Sequence, residues 1–314
     1  MERHGARLSF ARLGRSAVRA ALRRAHWDIV VEDINKLPLF LADLTPLPFA
    51  VIVPHLFGET AFQEVPWPMA ALVNLAERPI PRVYARAGFH VISESTRDDL
   101  VLRGVARERI RVIHPGLDAT HYAPLVGVKR TERPSFLYVG RLKRYKGVEV
   151  AIRALAKVRQ NRNDVTLDIA GTGDDAARLQ GLAGQLGLGD SVRFHGFVSE
   201  QRKLELFRTT WANLFPSPKE GWGLTIMEAA GCGTPSIASD SPGLRDSVQA
   251  GRTGYLVPHG DPAALASRML ELAGNPGLIE ELGQEARRVA QSWSWDDAAA
   301  ATEHHLAGLV AGRL

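Results

Sequence analysis

Two glutamates separated by seven residues stand in the run Glu220-Gly221-Trp222-Gly223-Leu224-Thr225-Ile226-Met227-Glu228. An apolar, strand-like segment ends near Phe215, a turn covers 216–220, and the run then leads into a helical pattern. Free backbone N–H groups at a helix N-terminus, together with the helix dipole, bind anions. Glycines at 221 and 223 let a ligand approach the backbone. The spacing places Glu228 in the first helical turn, where its carboxylate can accept hydrogen bonds from the vicinal hydroxyls of a ribose. Glu220, on the loop, can do the same for a sugar. A ligand-free reading stands beside this one, because Thr225-x-x-Glu228 is also a capping box.

The second chemical segment is Gly140-Arg141-Leu142-Lys143-Arg144-Tyr145-Lys146-Gly147, directly after a strand-like run. Four cations within six positions can neutralise a diphosphate, arginine by a forked pair of bonds and lysine as a point charge. A solvated basic turn is the alternative. Gly171-Thr172-Gly173-Asp174 lacks the third glycine of a dinucleotide fingerprint and reads as a tight turn. His195-Gly196-Phe197-Val198 ends another strand and either lines a base pocket or holds a satisfied strand-end histidine. His55 follows the strand Phe49–Val53 and can reach a substrate or serve the fold, while Ser93-Glu94-Ser95-Thr96 reads as a helix cap. No His-x-x-x-His pair or His/Asp/Glu cluster has metal spacing, so no bound metal is expected. There is no Gly-x-Ser-x-Gly elbow.

These residues need a scaffold that brings distant loops to one edge. Strand-like runs at 136–139, 165–170, 192–195, 212–215, 236–239 and 255–257 alternate with helical segments at 148–159, 175–186, 200–208, 225–231 and 244–250. Six strands with five connecting helices make one doubly wound α/β domain, whose ligands bind at the carboxyl ends of the strands. Further helices are expected at 262–273, 276–292 and after Trp295. The earlier part has fewer strands, at 29–31, 49–53, 90–93 and 111–113, with a helix from Pro68 to about Ala87. The seam is placed in 122–134, which has a linker composition.

The chain has 314 residues, 45% hydrophobic and 23% charged, which excludes a disordered or fibrous protein. No apolar stretch approaches the ~18 residues of a membrane span. The single cysteine, Cys232, excludes an intramolecular disulfide and fits a reducing, cytoplasmic setting. The net charge is +5, but the first 24 residues carry +6 and the other 290 sum to −1. A basic segment of this kind does not make a nucleic-acid-binding domain. Phe10, Leu13, Ala17 and Ala21 give it helical spacing. It reads either as a helix packed on its own domain or as a basic amphipathic helix on the inner face of a membrane.

Taken together, the motifs resemble the retaining, nucleotide-sugar-dependent glycosyltransferases of family 4 (GT4), which have the GT-B fold. Gly140-Arg141-Leu142 with Lys146-Gly147 is similar to that family's diphosphate loop, and Glu220 to Glu228 to its paired-glutamate motif. Gly231-Cys232-Gly233-Thr234-Pro235, Ser241-Pro242-Gly243-Leu244 and Gly251-Arg252-Thr253-Gly254-Tyr255-Leu256-Val257-Pro258 resemble the turns and strand approach that follow. Ile113-His114-Pro115-Gly116-Leu117-Asp118 is family-like as well. The resemblance runs through most of 88–297.

The resemblance implies two Rossmann-like domains facing a cleft. Residues 1–125 would be the acceptor-side domain, 133–293 the donor domain, and 294–314 a helix returning to the first. Family members usually open with a strand and a Gly-Gly loop. Here an Arg-rich segment stands in that place, so the N-terminal domain is expected to be incomplete. The donor is implied to be a GDP- or UDP-linked sugar, and the acceptor a glycan or lipid-linked molecule. Arg141 and Lys146 would hold the diphosphate without a metal or other cofactor. Glu228 would take the ribose, Glu220 and His55 the transferred sugar, and 223–226 would offer N–H groups. His195, Phe197 and Val198 would border the base. The alternatives are a donor-binding homologue or partner subunit without transfer activity and, further off, an epimerase or phosphorylase of similar architecture.

Overall fold

The computed structural model describes residues 10–35 and 37–313. The chain divides into two compact units, one running to His114 and resuming at Asp296, the other spanning Pro115–Trp295. The first contains strands β1 (Val30–Asp33), β2 (Phe49–Val53), β3 (Gly88–Val91) and β4 (Ile110–Val112), all parallel and adjacent in that order. The second contains β5 (Ser135–Val139), β6 (Thr166–Ala170), β7 (Val192–Gly196), β8 (Ala212–Phe215), β9 (Ser236–Ser239) and β10 (Gly254–Val257). These six are also parallel, in the order β10-β9-β8-β5-β6-β7.

In the second unit the central strands are apolar on both faces, as a parallel sheet covered by helices requires. Every residue of β5 and β8 is buried. Ile152, Leu155 and Val158 of helix Val148–Arg159 share a core with Leu265, Met269 and Leu272 of helix Pro262–Gly274. Burial of each such side chain contributes about 1.5–3 kcal/mol. From β5 the chain winds through β6 and β7 to one edge, whereas β8, β9 and β10 run to the other. The β5–β8 pair is therefore the point where strand order reverses, and the crevice above its carboxyl ends is where such sheets bind ligands. The linker-like stretch before β5 is pinned to this unit. Leu117 N donates to Trp293 O (2.9 Å), Arg130 Nη2 to Gly233 O (2.7 Å) and Trp211 Nε1 to Thr131 O (2.9 Å).

In the first unit, Val51, Val53, Phe89, Val91, Ile80, Tyr84 and Leu100 form the core. The N-terminal basic segment is helical over Phe10–Arg24. It docks through Val18 against the core and through Arg15, whose guanidinium grips Asp43 (2.8 and 2.9 Å) and the Leu39 carbonyl (2.8 Å). Arg3 and Arg7 lie outside the described residues. The helix expected from Pro68 to Ala87 is broken into Trp67–Glu77 and Ile80–Val83. Pro79 and Pro81 lack the N–H groups that a continuous helix needs.

The helix Trp295–Val310 closes the first unit. A Cβ on Gly88 would lie 2.6 Å from Leu309 Cδ2, so this helix packs closely on the start of β3. Burial, with repulsion from His90, Arg111 and His304, lowers the His305 pKa to about 4. Burial depresses His90 as well. Imidazoles in an unfolded chain titrate at about 6.5. Between that pH and about 4 the unfolded chain binds protons that the folded unit refuses. Stability is therefore expected to fall as pH drops through this window. His305→Leu should flatten the decline in urea-unfolding free energy between pH 7 and 4, and an unchanged slope would refute the assignment.

Candidate active site

Gly140 leaves β5 and starts the basic loop, which ends in a short 3-10 turn at Arg144–Lys146. Gly147 follows with φ +68°, and a Cβ there would stand 2.5 Å from Pro216 O. Only glycine lets the loop after β5 touch the loop after β8. That contact brings the two chemical segments together. Lys146 Nζ pairs with Glu220 Oε1, and both side chains are largely buried, at 12% and 16% exposure. The ammonium also stands 5.1 Å from the centroid of Tyr145 and 5.8 Å from that of Phe215. Arg141 is exposed and donates to Tyr145 Oη at 2.9 Å. Lys143 is engaged with Asp174 at 2.7 Å and holds that carboxyl below its usual range.

The Glu220 loop is braced from β9. Glu220 N donates to Pro242 O (3.2 Å) and Ser241 Oγ to Ser217 O (3.0 Å). Gly243, at φ +79°, leaves room for Glu220 O, which a Cβ would approach to 2.0 Å. Trp222 is buried edge-on against Trp293, with centroids 4.9 Å apart. Gly221 continues the loop, and Gly223 at φ +85° starts the helix Leu224–Gly231. The capping-box reading fails. Gly223 occupies the cap position without a side-chain bond, and the buried Thr225 Oγ1 has no hydrogen-bond partner. The helix starts one residue sooner than expected, so Glu228 lies in its second turn.

Glu228 sits in a network that spacing did not reveal. Its Oε1 accepts from Tyr122 Oη at 2.9 Å and its Oε2 from Lys203 Nζ at 3.0 Å. Tyr122 Oη also reaches Glu200 Oε1 at 2.7 Å, and Lys203 Nζ reaches Glu200 Oε2 at 3.1 Å. Burial would raise the Glu200 pKa, but bonds from Tyr122, Lys203 and His121 outweigh it and the net shift is downward. Lys203 belongs to the amphipathic helix Glu200–Thr209, where it reads as an ordinary partner of Glu200 three residues back. Tyr122 was part of an apparent linker. Neither carried a signal linking it to Glu228.

His195 is held by Asp168, with Nε2 and Oδ1 2.6 Å apart. Asp168 also takes a forked pair of bonds from Arg193, at 2.9 and 2.7 Å. Phe197 is 85% exposed beyond the strand end, and Val198 is partly buried against Leu204 and Phe207. The Gly171–Asp174 turn serves packing. A Cβ on Gly171 would fall 1.8 Å from Gly140 O, and one on Gly173 would fall 2.0 Å from Leu142 O.

His55, in the other unit, follows β2 and meets Phe57 edge-on at 4.9 Å. Its loop is tied down on both sides. Ser93 caps helix Glu94–Leu102, and Thr96 Oγ1 donates to Pro54 O at 3.1 Å. The buried Glu77 accepts from Phe57 N (2.7 Å) and Gly58 N (3.0 Å) and pairs with Arg103 at 3.2 Å. Among the described residues, no group of three or more His, Cys, Asp or Glu has a geometry that could hold a metal ion. No described helix is long and apolar enough to cross a membrane.

The profile of the family described as glycosyl transferases group 1 matches residues 126–289, and that of glycosyltransferase family 4 matches residues 3–121. The D-inositol 3-phosphate glycosyltransferase of Streptomyces avermitilis is 32% identical over 241 residues, covering 70% of this chain and 52% of that protein. The enzyme of the same name from Paenarthrobacter aurescens is 30% identical over 271 residues, covering 78% and 66%. The chain spans about half the length of the first curated relatives it matches. Among solved structures, Anabaena HepE in complex with UDP and glucose superposes with a TM-score of 0.78 at 19% identity, over 96% of this chain and 83% of that one. Sucrose-phosphate synthase from Thermosynechococcus elongatus gives a TM-score of 0.80 at 23% identity, over 98% and 80%.

Proposed function

We propose that this chain, which belongs to the group 1 glycosyl transferases of family 4 and shares their GT-B fold, moves a hexosyl unit from a nucleoside diphosphate sugar to an acceptor with retention of configuration. The observation that carries this reading is the Lys146–Glu220 pair on the two loops at the sheet's switch point, with Arg141 on the same loop as Lys146. A diphosphate bound there takes over Lys146. Glu220 is then released to accept hydrogen bonds from the donor sugar. Arg141 and Lys146 stabilise the charge growing on the leaving phosphate, which is electrostatic catalysis by preorganised cations. Protein cations in this role leave no step that calls for a metal. Retention follows from same-face attack, with a donor phosphate oxygen taking the acceptor proton. UDP in the HepE complex supports a UDP-linked donor, with GDP the other base to test. Relatives that are D-inositol 3-phosphate glycosyltransferases support an inositol phosphate as acceptor, alongside the glycan or lipid-linked class.

Calorimetric titration with UDP, GDP and their glucose and mannose conjugates, without added metal, tests the donor site. Micromolar binding of one nucleotide is expected, with slow release of free nucleotide from its sugar conjugate. Binding without any release would instead mark a donor-binding homologue, and no binding at millimolar concentration would end the reading. Arg141→Ala and Glu228→Ala are expected to weaken nucleotide binding greatly with the fold intact. His55→Ala should reduce transfer more than nucleotide affinity. The reverse pattern would make His55 structural.

We also propose peripheral contact with an anionic membrane through the first unit. Arg19, Arg23 and Arg24 are exposed on the basic helix. Trp67, Met69, Leu72 and Leu75 stand more than half exposed on helix Trp67–Glu77, an apolar face of the kind that marks interaction surfaces. The protein should co-sediment with phosphatidylglycerol vesicles, and the Trp67→Ser/Leu72→Ser variant should stay in the supernatant. Equal sedimentation of both would refute this surface.

A further inference from the structure

The network around Glu228 has a hydrogen-bond arithmetic that bears on what Glu228 can bind. The Lys203 ammonium has three protons, and three acceptors lie within reach: Glu228 Oε2 at 3.0 Å, Glu200 Oε2 at 3.1 Å and Tyr122 Oη at 3.0 Å. Its donors are all used. Tyr122 has one phenolic proton but two carboxylate oxygens in range, Glu200 Oε1 at 2.7 Å and Glu228 Oε1 at 2.9 Å. It donates fully to only one of them at a time. A carboxylate offers about four lone-pair sites, and Glu228 spends two here. By that count, two lone-pair sites on Glu228 remain for a ligand.

The phenol is placed by the backbone and not by chance. Tyr122 N donates to Asp118 O at 2.9 Å, and Arg208 Nε donates to Ala123 O at 2.7 Å. Asp118 Oδ1 fixes the same turn by accepting from Thr120 N and His121 N, both at 3.0 Å. A Cβ on Gly231 would come within 2.7 Å of Tyr122 O, so the helix bearing Glu228 is shaped to receive this turn. Lys203 and Glu228 are only 15% and 17% exposed, which keeps their pairing strong.

We infer that Tyr122, Lys203 and Glu200 are positioning residues that keep Glu228 open as the acceptor of a vicinal diol. Glu200 is the second acceptor to which the Tyr122 proton turns when a ligand hydroxyl takes Glu228 Oε1. Lys203 holds Oε2 in place, so both carboxylate oxygens face the diol in one fixed orientation. Nothing is left unpaired in either state, because Tyr122 always has a carboxylate to donate to. This inference rests on the reading of Glu228 as the ribose contact and names what makes that contact selective.

The test compares UDP with 2′,3′-dideoxy-UDP, and GDP with its dideoxy analogue, on the intact protein. Wild type should prefer the ribonucleotide by about ten-fold or more, the range expected of hydrogen bonds to a charged group. Glu228→Gln should remove the preference, as the parent reading requires. Tyr122→Phe and Lys203→Met should each reduce it to near unity, raising KM for the sugar nucleotide with little change in kcat. Glu200→Gln keeps an acceptor for the phenol and should give an intermediate ratio. Lys203→Arg should recover part of the preference, which a merely structural role would not predict. If wild type shows no preference for either base, or Glu228→Gln keeps it, the ribose reading of Glu228 fails. If wild type and Glu228→Gln behave as stated but Tyr122→Phe and Lys203→Met retain the full preference, the positioning role is overturned. Thermal melts of each variant separate loss of fold from loss of selectivity.

Discussion

Lys146→Ala is expected to lower sugar-nucleotide turnover by about 10²–10³-fold, the loss seen when one preorganised charge-stabilising group is removed from an active site. Two effects combine. The cation that would meet the leaving diphosphate is gone, and Glu220 is left without the ammonium that pairs with it at 16% exposure. Removing one member of a largely buried ion pair can destabilise a protein by about 3–5 kcal/mol, because the remaining charge is uncompensated. Partial exposure of this pair places the expected penalty at the lower end. The double variant Lys146→Ala/Glu220→Gln separates the effects. It should regain thermal stability while turnover stays low. Recovery of both would mean that Lys146 only neutralises Glu220, and near-normal turnover in Lys146→Ala would remove it from the mechanism.

Gly171→Ala should destabilise the second unit by about 3–5 kcal/mol, in the exceptional range for a single substitution. Gly171 sits at φ +143°, where an L side chain is strained, and its Cβ would lie 1.8 Å from Gly140 O. The obstacle is backbone, which cannot rotate aside. Gly171 N also donates to Gly196 O at 2.7 Å, so moving the loop breaks a contact with the end of β7. The change should lower the midpoint of thermal unfolding by roughly 6–20 °C for a unit of this size. It should also weaken nucleotide binding, since Gly140 begins the diphosphate loop. A shift under about 2 °C would show that the loops after β5 and β6 separate easily.

The division between what was legible in the sequence and what was not follows the range of the interactions. The alternation of buried runs such as Phe136–Val139 with the periodic helix Val148–Arg159 is local, and it showed the parallel α/β architecture. The glycines at 147, 223 and 243 mark loops because their backbone conformations belong to glycine. Such loops at strand ends pointed to Arg141, Lys146, Glu220 and Glu228. Pairing across the fold was not legible. Lys146 meets Glu220 across 74 residues, and Tyr122 meets Glu228 across 106. Asp168 takes His195 and Arg193 from the neighbouring strand. The local capping pattern at Thr225 pointed the wrong way, because Gly223 in a left-handed conformation starts the helix earlier. The sequence by itself determined which chain segments become strands, helices and glycine-bearing loops, since those choices rest on backbone preference and on neighbours a few residues away. Only the tertiary structure decided which charges share a hydrogen bond, because that depends on strand order and on contacts between residues far apart along the chain.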